Sequence, residues 1–111
     1  MKAHKEYARH ILDELVFIKA NCGMLSYEAF LADEVMKRAV TRSLEIIGEA
    51  VKKIPEDVLS LYPGVAWKNI AGMCDRLIHH YFGVDYYLVW DVIRNHLPLL
   101  EKDIQAMLAG S

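Results

Sequence analysis

Apolar residues in this chain recur at intervals of three and four from Tyr7 to Met107, and no stretch alternates long enough to make a strand. That rhythm restricts the fold to packed helices. Tyr7, Ile11, Leu15 and Ile18 predict a first helix from about Ala3 to Asn21. Asn21-Cys22-Gly23 supplies its stop, with Gly23 suited to a left-handed cap. Ser26 is an N-cap candidate for a short turn from Tyr27 to Leu31. Asp33 opens a second long helix to about Ile54, whose stripe is Met36, Val40, Leu44, Ile47, Val51 and Ile54. Gly48 inside that helix costs roughly 1 kcal/mol relative to alanine, which a close helix–helix approach would explain.

Pro55 starts a short helical segment through about Leu61, and Pro63-Gly64 is a turn. A further helix is expected from about Ala66 to Tyr81, ended by Gly83. Asp85 then caps a last helical run from Tyr86, carried by Leu88, Val89, Val92, Ile93, Leu97, Leu100, Ile104 and Met107. Pro98 lies inside that run and predicts a kink or break near Asn95 to Leu97. The expectation is a single all-α domain over residues 1–111, an up-and-down bundle of four to five helices.

At 54% hydrophobic residues, a domain of 111 residues has apolar surface to spare for a second subunit. A net charge of −2 does not announce a nucleic-acid binder, although a local cleft can be basic when the total is not. The two cysteines, Cys22 and Cys74, show neither metal-ligand nor disulfide-framework spacing. No run approaches a membrane span, and Met1 to Lys5 leads into no long apolar stretch. A cytoplasmic protein, with reduced thiols and no membrane association, is expected.

One segment concentrates chemistry. Asp75, Arg76, His79, His80 and Tyr81 fall within seven residues, just before Gly83. On a helical wheel Trp67, Ile70, Met73, Cys74, Leu77, Ile78 and Tyr81 form an apolar stripe, while Lys68, Gly72, Asp75, Arg76 and His79 lie opposite. His79 therefore faces away from its own core, toward solvent, a ligand or a second chain. Cys74 and His79 point about 140° apart on an unbroken helix. Both can face one ligand only if the helix unwinds or two chains share the site.

The stretch Gly72-Met73-Cys74-Asp75-Arg76-Leu77-Ile78-His79-His80-Tyr81-Phe82-Gly83-Val84-Asp85 resembles the core of HepT proteins, the toxin branch of the HEPN nucleases. Arg42 to Ala50, the Tyr62-Pro63 … Trp67 … Ile70 spacing, Val89-Trp90 and Leu97-Pro98 extend the resemblance over nearly the whole chain. Its signature is an arginine, four residues, a histidine, one residue and a tyrosine. His79 and Tyr81 occupy the last two positions, and Cys74 stands where the family has arginine.

The resemblance implies a metal-independent endoribonuclease with its cleft at a homodimer interface, needing no cofactor. Its expected partners are RNA and an MNT-type nucleotidyltransferase antitoxin that adenylylates a tyrosine of the motif, here Tyr81. His79 would move the proton, since imidazole titrates near neutrality at about 6.5. Without the resemblance, a histidine at a helix C-terminus reads as a dipole partner. Asp75 fits the polar position that often follows the family arginine, and equally a surface carboxylate. Arg76 can fork onto phosphate or pair on the surface, and lies closer to His79 than the family spacing. Arg42 reads first as part of a solvated charged face, with an RNA-lining role as the second reading. Cys74 reads as a small buried hydrophobe. A chain disabled there would be an RNA- or antitoxin-binding module.

Overall fold

The computed structural model describes residues 3–79 and 83–110, and for Ile78 and His79 the backbone alone. Five helices carry the architecture: α1 His4–Cys22, α3 Glu34–Lys53, α5 Trp67–His79, α6 Tyr86–Asn95 and α7 Leu97–Ala109. Two short ones, α2 Tyr27–Ala32 and α4 Glu56–Leu59, sit in the connections. The described residues include no strand, and the fold is the expected all-α bundle. Helix α3 is its centre, packed on α1 along one side and α5 along the other. Helix α7 covers α1, and α6 lies on α7.

The apolar periodicity accounts for this packing. Ile11, Leu15, Ile18, Val40, Leu44, Ile47, Leu100 and Ile104 are buried in one core drawn from α1, α3 and α7. Ser43, also buried, donates to Glu14 Oε1 at 2.7 Å and so ties α3 to α1 through a polar contact. The expected caps hold the connections. Ser26 Oγ accepts from the Ala29 amide at 3.0 Å, and Asp33 Oδ1 from Met36 at 2.9 Å. Asp85 Oδ1 accepts from Tyr87 at 3.0 Å and Leu88 at 3.2 Å. Each satisfies an otherwise orphaned amide of a helix's first turn.

The expected break in the last run falls at His96, separating α6 from α7. Pro98 lands in the first turn of α7, where its missing N–H leaves no hydrogen bond unmade. The cap at Gly23 differs from expectation. Its backbone is right-handed, with φ −58° and ψ −32°, rather than left-handed. The carbonyls leaving α1 find another partner: the Arg94 guanidinium donates to Cys22 and Gly23 at 3.2 Å each, and to Leu25. A cation supplied from α6 removes the need for a left-handed turn.

Candidate active site

Helix α5 bears the motif, and three contacts set its position. At its start, Trp67 Nε1 donates to the Tyr62 carbonyl at 2.9 Å, which fixes the helix against the Pro63-Gly64 turn. Along its buried side, α5 meets α3 where Gly48 faces Cys74. A Cβ built on Gly48 would overlap the Cys74 Cβ and lie 3.1 Å from its sulfur. This is the close approach expected of a glycine inside a helix. On the outer side, Lys52 of α3 bridges Glu49 at 2.9 Å and Asp75 of α5 at 2.5 Å. The two carboxylates raise the Lys52 ammonium above its ordinary value, the hydrogen bond to Asp75 contributing most.

The wheel drawn from the sequence holds for the described residues. Trp67, Ile70, Met73, Cys74 and Leu77 are buried, while Lys68, Gly72 and Arg76 are exposed. Cys74 is wholly inaccessible, and burial pushes its thiol up to about 12. The protonated thiol is therefore the species present near neutrality, and neither nucleophile nor cation stands at this position. Asp75 is half-buried and engaged by Lys52, so in this chain it joins α5 to α3.

The two arginines line different clefts. Arg76 borders an opening of about 540 Å³ between α5 and α6, with Lys68, Asn69, Gly72, Met73 and His96 among its other walls. It also borders a smaller one of about 230 Å³ beside Gly83, Val84 and Asp85. Arg42 lines a third, of about 240 Å³ between α1 and α3, with Tyr7, His10, Glu49 and Lys53. The structure does not bring Arg42 and Arg76 to one opening within a single chain. His79 ends α5 as far as the backbone is described. Its side chain, His80 and Tyr81 lie outside the described residues.

Lys68, Gly72 and His96 of the larger cleft carry no role in the sequence reading. Lys68, Gly72 and Arg76 follow one another at intervals of four, a legible common face. His96 comes from the junction of α6 and α7, and only the packing of α6 beside α5 brings it there.

A helical domain with its buried seam at Cys74 and its cationic face along α5 has the architecture of a HEPN-like bundle. The sequence pattern of the family described as "Ribonuclease HepT-like" matches residues 11–107, and the chain belongs to that family. It is 46% identical over 108 residues to "Putative RNase TTE0752" of Caldanaerobacter subterraneus subsp. tengcongensis, covering 97% of this chain and 96% of that protein. It is 40% identical over 106 residues to "Probable ribonuclease HepT" of Thermococcus cleftensis, covering 96% of each. No solved structure matches the chain.

Proposed function

We propose that this protein is the toxin of a HepT-type toxin–antitoxin system, an endoribonuclease working without metal from a site shared between two subunits, and attenuated by Cys74. The observation that carries this reading is the His79-x-Tyr81 pair, five residues beyond position 74, in a chain that belongs to a ribonuclease family. In the reaction the 2′-oxygen bonds to the adjacent phosphorus as its proton is removed. The P–O5′ bond breaks, and the 5′-oxygen receives a proton. His79 supplies one of these transfers. The cation expected at position 74 would neutralise charge building on the phosphate, and a neutral, buried thiol does not. The purified protein should therefore cleave RNA weakly, and at an unchanged rate in EDTA. A gel assay on labelled RNA, with and without chelator, tests this. Loss of all cleavage in EDTA would remove the metal-independent mechanism.

Two subunits are supported by the motif geometry: position 74 and His79 leave an unbroken helix about 140° apart, so a two-fold pair of motifs could serve one phosphate where a single helix could not. Light scattering at micromolar concentration should give twice the chain mass. A monomer would sink both the dimer and the shared site.

Tyr81 is the proposed acceptor of AMP from an MNT-type nucleotidyltransferase antitoxin, the only tyrosine within the segment from Gly72 to Asp85. Its phenolic oxygen would bond to the α-phosphorus of ATP, releasing pyrophosphate and the phenolic proton. Incubated with the transferase and ATP, the wild-type protein should gain the mass of AMP and Tyr81→Phe should not. Equal uptake by both places the acceptor elsewhere.

The second reading, a catalytically disabled dimer that still binds RNA or antitoxin, is favoured by one specific observation: the motif position held by Cys74 is sealed in the core and uncharged.

A further inference from the structure

Two glycines interrupt the long helices beside the motif, and packing accounts for only one. Gly48 is required because a Cβ there would overlap Cys74. Gly72, exposed in the middle of α5, is different: a Cβ there would meet nothing within 4 Å. Glycine at such a position gives up roughly 1 kcal/mol of helix stability relative to alanine, with no gain inside the chain. What it does provide is bare backbone on the wall of the 540 Å³ cleft between α5 and α6. Glycine on a cleft wall lets a ligand approach the main chain closely.

The charges of that cleft indicate the ligand. Its lining includes Lys68, Arg76 and His96 and no carboxylate, although the whole chain is net negative. Among the described residues neither Lys68 nor Arg76 enters a salt bridge, while His96 faces Asp91 at 3.5 Å. Lys68 and Arg76 stand eight residues apart on α5, about 12 Å along the axis, too far for one phosphate and suited to a chain of them. Among the described residues the lining has no Phe, Tyr or Trp on which a base could stack, and its imidazole, His96, faces Asp91; Asn69, Ile70, Met73, Leu88 and Val92 complete the walls. Arg76 and Leu88 also border the smaller cleft toward the motif end of α5, beside Gly83, Val84 and the Asp85 carboxylate, which caps α6.

We propose that the α5–α6 cleft is a track for the backbone of single-stranded RNA. Lys68 and Arg76 each hold a phosphate, and Gly72 lets the strand lie against the helix on its way to the motif. The identity of the ligand rests on the ribonuclease reading; the location of the track rests on the cleft itself. Contacts of this kind position a strand and carry no sequence preference.

The test is fluorescence anisotropy of a labelled RNA oligonucleotide in EDTA, across a series of KCl concentrations. For Lys68→Ala/Arg76→Ala, affinity should fall about tenfold at low salt. The slope of log affinity against log salt should become shallower by about 1.4, two contacts at about 0.7 each. The charge-matched control Arg38→Ala/Lys102→Ala should change neither quantity. Gly72→Leu separates binding from folding, because leucine is the better helix former. It should raise the urea midpoint and yet weaken RNA binding. The proposal is overturned if the wild-type protein binds no RNA, or if the Lys68/Arg76 variant binds with wild-type affinity and slope. It is equally overturned if Arg42→Ala/Lys53→Ala alone abolishes binding. If Cys74→Arg alone never cleaves while Lys68→Ala/Arg76→Ala, in the otherwise unaltered protein, weakens RNA binding as expected, the nuclease reading fails and the track stands. A Cys74→Arg protein that cleaves while the track variant binds normally does the reverse.

Discussion

Cys74→Arg is expected to raise RNA cleavage by about a hundredfold or more, the scale on which removing one charge-stabilising donor lowers the rate of an enzyme. The native thiol is fully buried and raised to about 12, so it remains neutral and contributes nothing to a developing phosphate charge. The charges of Asp75, Lys52 and Glu45 all bear on this position, so a guanidinium placed there would compete with Lys52 for the Asp75 carboxylate. Adding His79→Ala to the arginine variant should abolish the gain, because the proton-transfer group is then missing. EDTA should not. A Cys74→Arg protein that is folded and dimeric but inactive would establish the binding module in place of the enzyme. Brisk cleavage by the unaltered protein would show instead that Cys74 is no handicap, and Arg76 would be the first residue to replace.

Gly48→Ala should destabilise the fold by about 1–3 kcal/mol, the usual cost of forcing an extra group into a packed interior. On an isolated helix the same change would help by roughly 1 kcal/mol. Here the new methyl overlaps the Cβ of Cys74, which belongs to the rigid part of its side chain and cannot rotate away. The seam between α3 and α5 must then open, and with it the placement of the motif helix. The expected readout is a lower urea midpoint at unchanged slope, at fixed protein concentration because assembly contributes to apparent stability. The identity of the clashing atom gives a sharper check. Cys74→Ala keeps the Cβ and should not rescue Gly48→Ala, whereas Cys74→Gly removes it and should recover part of the loss. A Gly48→Ala protein as stable as wild type would show that the helices separate at no cost.

The repeat of three and four sufficed for the helical class, the order of the elements and most of the buried positions, because a side chain's face on a helix depends on local geometry alone. Caps at Ser26, Asp33 and Asp85 were legible for the same reason, since each bonds an amide two or three residues on. The break ahead of Pro98 follows from a missing donor that no tertiary contact can restore. The polar face of Lys68, Gly72 and Arg76 and the buried face of Cys74 were equally readable.

Distance along the chain hid the remainder. Gly23 was expected to turn left-handed, and stays right-handed because Arg94, 71 residues later, takes its carbonyl. That Gly48 answers to Cys74, and Gly72 to open space, could not be told apart in sequence. Both are glycines inside helices, and only the packing of α3 on α5 separates them. Asp75 is likewise ambiguous until Lys52 is placed beside it. The sequence alone determined the helices, their faces and the motif with its cysteine, all properties of neighbours along the chain. The tertiary structure alone decided which faces meet: that Gly48 of α3 closes over Cys74, and that His96 joins Lys68 and Arg76 around one cleft.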